Sequence, residues 1–223
     1  MLFLLGHGKI ADMEQSYITA LDEHFCARYS DYVRISALEG YKMPDMITIA
    51  SDGNIVRKES LRMRLCYQEN CAELLAKFKK GLADTDFTFS FLFPSFADRV
   101  RDKFRKYTFA KYLPVVLSHG DETAESAGKK LAIEPKFWQK IVRGSLYPEK
   151  NTVLALALVC RLSPADANNL LGVCGYTLAE DNVRDVVVGY LLERGIFNER
   201  MRDDCLAEYK ITNLPIARDA QNA

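Results

Sequence analysis

Residues 121–171 read DETAESAGKKLAIEPKFWQKIVRGSLYPEKNTVLALALVCRLSPADANNLL. Apolar residues here recur at helical spacing, in short bursts broken by polar and glycine punctuation. The pattern predicts four helices in quick succession, over about 123–132, 135–143, 149–161 and 164–173. Gly144 closes the second, because glycine accepts the positive φ at a helix exit without cost. Ser163-Pro164-Ala165-Asp166 marks the start of the fourth: serine caps, proline suits the first helical position, and aspartate follows at the third.

The same stretch sits in the basic part of a neutral chain. The 223 residues carry 30 Lys+Arg against 30 Asp+Glu, a net charge of zero. Residues 105–161 hold 10 basic and 5 acidic groups, whereas 162–223 hold 6 and 10, and 1–104 hold 14 and 15. A wholly basic coat for nucleic acid is excluded; a local basic face is not. A hydrophobic share of 48% with 27% charged residues supplies a real core and excludes disorder as the default state. No apolar run reaches the length of a membrane span.

Between Ala124 and Leu171 the chain resembles the Cro/C1 (XRE) helix-turn-helix family. The first helix of the motif would be Ala124–Ala132 and the second Pro135–Arg143. Arg143-Gly144-Ser145-Leu146-Tyr147-Pro148 matches the family's R-G-x-x-x-P, and Arg161-Leu162-Ser163-Pro164 matches the end of the next helix and the cap that follows it. Two short helices crossing through a tight turn need small residues where they touch. Gly128 stands where the family has Ala, and Leu131, Trp138 and Ile141 stand at its core positions. Two departures are visible: Ala132 replaces the turn glycine, and Trp138 replaces a Val or Ile. Ala127 and Gly128 are small enough to make room for the indole. The pattern after Leu171, through GYTLAEDNVRDVVVGYLLERGIFNERMRDDCLAEY, is similar to an extended helical tail seen on assorted bacterial proteins.

The resemblance implies binding of double-stranded DNA by a cytoplasmic bacterial regulator acting as a homodimer on paired half-sites. The second helix would present Lys136, Phe137, Gln139, Lys140 and Arg143 to the major groove, with Gln139 reading adenine and Lys or Arg reading guanine or phosphate. Lys129, Lys130 and Lys150 would hold phosphates. Glu134 at the helix start opposes this, and Pro135 removes a backbone donor there. Phe137 would touch a thymine methyl or mark a protein-binding surface. The alternative is a non-catalytic protein-interaction module that keeps the helix pair as a scaffold.

Working towards the N-terminus, residues 1–106 read as a small α+β domain that senses, dimerises or binds a protein partner. Ile10, Met13, Tyr17, Ile18, Leu21 and Phe25 mark one face of a first helix. MITIA (46–50) and IVRK (55–58) flank Ser51-Asp52-Gly53-Asn54, a hairpin signal. Cys71, Leu74, Leu75 and Phe78 repeat at helical spacing and stop at Gly81. FTFSFLF (87–93) alternates as a strand. Ser95 and Asp98 form a capping box for a basic helix over 96–106, whose Arg99, Lys103 and Lys106 share a face: a second phosphate track, or a solvated face interleaved with Asp98 and Asp102.

Towards the C-terminus, helices are predicted over about 182–194 and 199–210, with another at 108–118 before the motif and no strand after 107. Val183, Val186, Val187, Tyr190 and Leu191 form one apolar stripe, and Met201, Cys205, Leu206 and Tyr209 another. The fold class expected is therefore an α+β domain (1–106) followed by an all-α helix-turn-helix domain (107–223), mostly helical overall.

Signals for enzyme or cofactor chemistry are missing. Gly6-His7-Gly8-Lys9 lacks the spacing of a phosphate loop. His7, His24 and His119 fit no metal spacing, no serine lies in G-x-S-x-G, and no C-x-x-C pair occurs. The six cysteines read as reduced, buried thiols of a cytoplasmic protein. MLFLLGHGK is a poor signal peptide, and Met13 is an alternative start.

Overall fold

A computed structural model describes residues 6–43, 47–49, 51–53, 55–57, 64–86 and 91–212, with side chains from residue 16 except in 47–49 and 55–57 and at 86. The chain is mostly helical. It divides into two compact units: Met1–Ala83 with Ala179–Val187 and Asp203–Lys210, and Asp84–Leu178 with Val188–Arg202 and Ile211–Ala223. The pattern of the sequence places a border near residue 107 and two domains in tandem; the packing instead interleaves the segments. No helix among the described residues is long and apolar enough to cross a membrane.

The first unit holds α1 (Gly6–Arg28), α2 (Tyr32–Ser36), a hairpin of β1 (Ile47–Ile49) and β2 (Ile55–Arg57), a 3₁₀ turn (Leu65–Tyr67) and α3 (Cys71–Lys80). The hairpin pairs antiparallel with Thr48 opposite Val56, and Gly53 in its turn has φ +82°. Met46, Ala50, Asn54 and Lys58 of the predicted hairpin lie outside the described residues. Leu74, Leu75 and Phe78 of α3 are buried, as their spacing demands. Aromatic rings fill the centre: Phe25 stacks on Tyr29 at 4.6 Å and meets Tyr209 at 4.5 Å and Phe78 at 5.5 Å. Lys79 joins Asp22 and Glu208, both at 2.6 Å.

Cys26 and Cys71 bring their sulfurs to 3.0 Å, a proximity that no sequence spacing signals. Burial is the main reason that the Cys26 thiol lies above the usual range, with Cys71 next. Cys66 is exposed, which corrects the expectation of uniformly buried thiols.

The second unit holds α4 (Phe96–Phe104), α5 (Phe109–His119), α6 (Ala124–Lys130), α7 (Pro135–Val142), α8 (Lys150–Val159) and α9 (Pro164–Val173). The last two helices, α10 (Val183–Arg194) and α11 (Glu199–Glu208), contribute residues to both units. α8 is buried at every position from Thr152 to Val159, which is why its sequence is apolar all round rather than striped. Residues 185–192 of α10 are likewise all buried, so the predicted single stripe understates its burial. Caps sit where the sequence puts them: Ser163 accepts from the Asp166 amide, and Ser95 and Asp98 form a capping box.

Two short pairings correct the expectation of no strand after 107. β4 (Phe91–Leu92) pairs antiparallel with β5 (Tyr147–Pro148), and β3 (Thr85–Asp86) pairs parallel with β6 (Ile211–Thr212). Two-residue strands leave no alternation to read, so a periodicity test misses them. Phe87, Thr88, Phe89 and Ser90 of the predicted strand lie outside the described residues.

Candidate nucleic-acid interface

α6 and α7 are built as a tight pair. Thr123 caps α6, with Ser126 returning a hydrogen bond in a capping box. The link runs through Leu131, Ala132, Ile133 and Glu134, and Leu131 and Ile133 are buried. Ala132 has φ +49°, the left-handed conformation that alanine resists. The link thus turns at this one residue.

Trp138 and Ile141 face inward and Trp138 is only 5% exposed. The indole N–H donates to the Ala124 carbonyl on the facing helix. Its ring lies flat against Gly128: a Cβ there would stand 2.4 Å from Trp138 Cδ1. The missing methyl is what admits the bulky side chain.

The opposite face of α7 is cationic. Lys136, Lys140 and Arg143 are exposed and follow one another at i, i+4, i+7, with exposed Gln139 beside them. Lys136 is engaged by Glu134 at 2.6 Å, so the first of these charges is partly offset at the helix start. Phe137 is half-buried rather than protruding. It stacks on Phe91 with ring centroids 6.2 Å apart, and the ammonium groups of Lys136 and Lys140 lie 5.0 and 5.9 Å from its centroid. The ring is thus held against Phe91 with two ammonium groups over it.

The predicted phosphate contacts divide. Lys129 is exposed and pairs with Glu125 at 2.9 Å. Lys130 is half-buried and bonded to Glu122, so its ammonium is already taken. Burial would raise the Glu122 carboxyl, but Lys130 and the Ser126 hydroxyl outweigh it and hold the carboxyl below its ordinary value. Lys150, at the start of α8, is half-buried.

Sequence reasoning missed a cavity of about 410 Å³ at the end of α7. α4 supplies Arg99, Arg101 and Lys103 to its wall, and Arg105 just beyond it, Lys111 and Arg143 add three more cations. Asp102 is the one acidic residue of the lining, and the Tyr147 hydroxyl donates to it. Tyr147 is pushed up to about 12, by burial first and then by Asp102. The basic stripe of 96–106 was legible; that β5 would bring a tyrosine to it was not. Among the described residues no cluster of His, Cys, Asp and Glu has the arrangement of a metal site. Neither protein-family models, nor curated proteins, nor solved structures give a match for this chain.

Proposed function

We propose that this chain binds double-stranded DNA as a transcriptional regulator, through a helix-turn-helix of the Cro/C1 type made by α6 and α7. The observation that carries this reading is the two-sidedness of α7. Trp138 and Ile141 anchor one side, and Lys136, Lys140 and Arg143 line the other in solvent. A cationic ridge on a rigid helix suits a major groove, where phosphates attract it and base edges discriminate. The left-handed Ala132 supports the same motif. In this reading an α+β part at the N-terminus, residues 1–106, serves sensing, homodimerisation or a protein partner, and the tail extends the helix-turn-helix domain. No covalent step is involved; occupancy of an operator is the mechanism.

A second reading, a protein-interaction module, is favoured by α4. None of its residues is buried, and Phe96 and Phe104 are 84% and 85% exposed. Exposed aromatics of this size mark interaction surfaces.

Fluorescence anisotropy with random and genomic duplexes at several salt concentrations separates the two. DNA binding weakens as salt rises, because phosphate contacts release counterions. Replacing Lys136, Lys140 and Arg143 with Ala one at a time should cost about 1–3 kcal/mol for each true base contact. Absence of binding at low salt would overturn the regulator and favour the interaction module.

A further inference from the structure

We infer that the cavity beside α7 is a binding site for a small polyanion that carries an aromatic or apolar portion, the chemistry of a nucleoside polyphosphate. The walls are cationic out of proportion to a chain of zero net charge: six basic residues against Asp102. A volume of about 410 Å³ falls within the range of small-molecule pockets.

The charges divide into those already used and those available. Arg101 is held by Asp98 at 2.6 Å. The Lys111 ammonium donates to the backbone carbonyls of Asp102 and Arg105, at 3.1 and 2.7 Å. The Asp102 carboxylate accepts from Tyr147. These three groups build the wall. Arg99, Lys103, Arg105 and Arg143 have no ion-pair partner among the described residues, and all four are exposed. Like charges gathered around one concavity repel each other and focus a positive field into it. A polyanion relieves that repulsion.

The orientation of α4 shows that the arrangement is built. At 100° per residue, Phe96, Val100 and Phe104 share one side of the helix, and Asp102 lies nearly opposite. An ordinary surface helix turns its apolar side inward. Here the phenylalanines face solvent, Asp102 and Arg99 on the charged side line the cavity, and Lys103 reaches it from beside Phe96. Polar anchors, Asp102 to Tyr147 and Lys111 to the carbonyls of Asp102 and Arg105, hold it that way.

The floor selects the rest of the ligand. Phe109, Ile141, Leu146 and Pro148 form an apolar base, with Tyr176 beside them. A DNA backbone has nothing apolar to set against such a base, whereas a nucleotide has its ring. Arg143 belongs both to this cavity and to the cationic face of α7. A bound polyanion would therefore compete with duplex DNA, a consequence that rests on the reading proposed above; the site itself does not.

The test uses the full chain and three probes: adenosine triphosphate, inorganic triphosphate and adenosine, by isothermal titration calorimetry in magnesium-free buffer. Adenosine triphosphate should bind saturably and most tightly, triphosphate more weakly, and adenosine without measurable heat. Arg105→Ala and Lys103→Glu, each checked for helix content by circular dichroism, should weaken adenosine triphosphate at least tenfold. Lys42→Ala, in the other unit, should leave it unchanged. Absence of saturable binding by either polyanion overturns the site. So does equal binding of the two polyanions that neither substitution reduces, which marks general attraction to a basic surface. Duplex anisotropy with and without adenosine triphosphate completes the test. Nucleotide binding without duplex binding retains the cavity and removes the regulator, and duplex binding without nucleotide does the reverse.

Discussion

Gly128 and Trp138 behave as one unit. A methyl at 128 would overlap the indole, and the indole is fixed by its own N–H, which donates to the Ala124 carbonyl. Overpacking of this kind costs about 1–3 kcal/mol, and more where backbone must shift. Gly128→Ala should therefore lower the urea midpoint by an amount in that range. Trp138→Val alone leaves a cavity and also destabilises. The double variant should recover part of the sum, a coupling that a double-mutant cycle reads directly. Additive losses would show that the two residues do not share the space. Trp138 was legible as a bulky departure, and Gly128 as a small residue able to make room for it. The hydrogen bond to Ala124 was not legible, since backbone partners leave no mark on a sequence.

At the scale of elements, helices announce themselves through caps and spacing, and most begin and end within a residue or two of expectation. What the pattern does not convey is which way an amphipathic helix faces. α4 carries a clear apolar side, and the natural expectation is to bury it. The structure does the opposite, because Tyr147 and Lys111 secure the polar side and both come from later segments. α6 is tied down by a carboxylate in the same manner. Glu122 holds Lys130 and Ser126, and its carboxyl sits below the ordinary value. A depressed carboxyl contributes stability that is complete above its unfolded-state value and is lost as pH falls through the folded-state value. Glu122→Gln should accordingly be less stable than the parent at neutral pH, and the gap should close on acidification. Urea midpoints across the acid range check this; a gap independent of pH would remove Glu122 from the account.

For the whole molecule, the informative fact is the order in which the chain visits its two units. The first unit takes in residues 179–187 and 203–210 after a long excursion. Tyr209 is fully buried, against Phe25, and its hydroxyl donates to Asp22. Local periodicity reports only on neighbours in sequence, so a border drawn near residue 107 could not include this return. A fragment of residues 1–106 should then fail to unfold cooperatively in urea, monitored by circular dichroism, while the full chain does. A sharp transition in the fragment would vindicate the border inferred from the pattern.

The same return shapes the birth of the protein. Translation runs at roughly 5–20 residues per second, so the ribosome needs on the order of ten seconds to pass from residue 83 to residue 210. Throughout that interval Phe25 and Phe78 lack the tyrosine ring that completes their cluster. The nascent chain must wait for residues 203–210 before its first unit can close, and holdases that shelter exposed aromatics have a window in which to act.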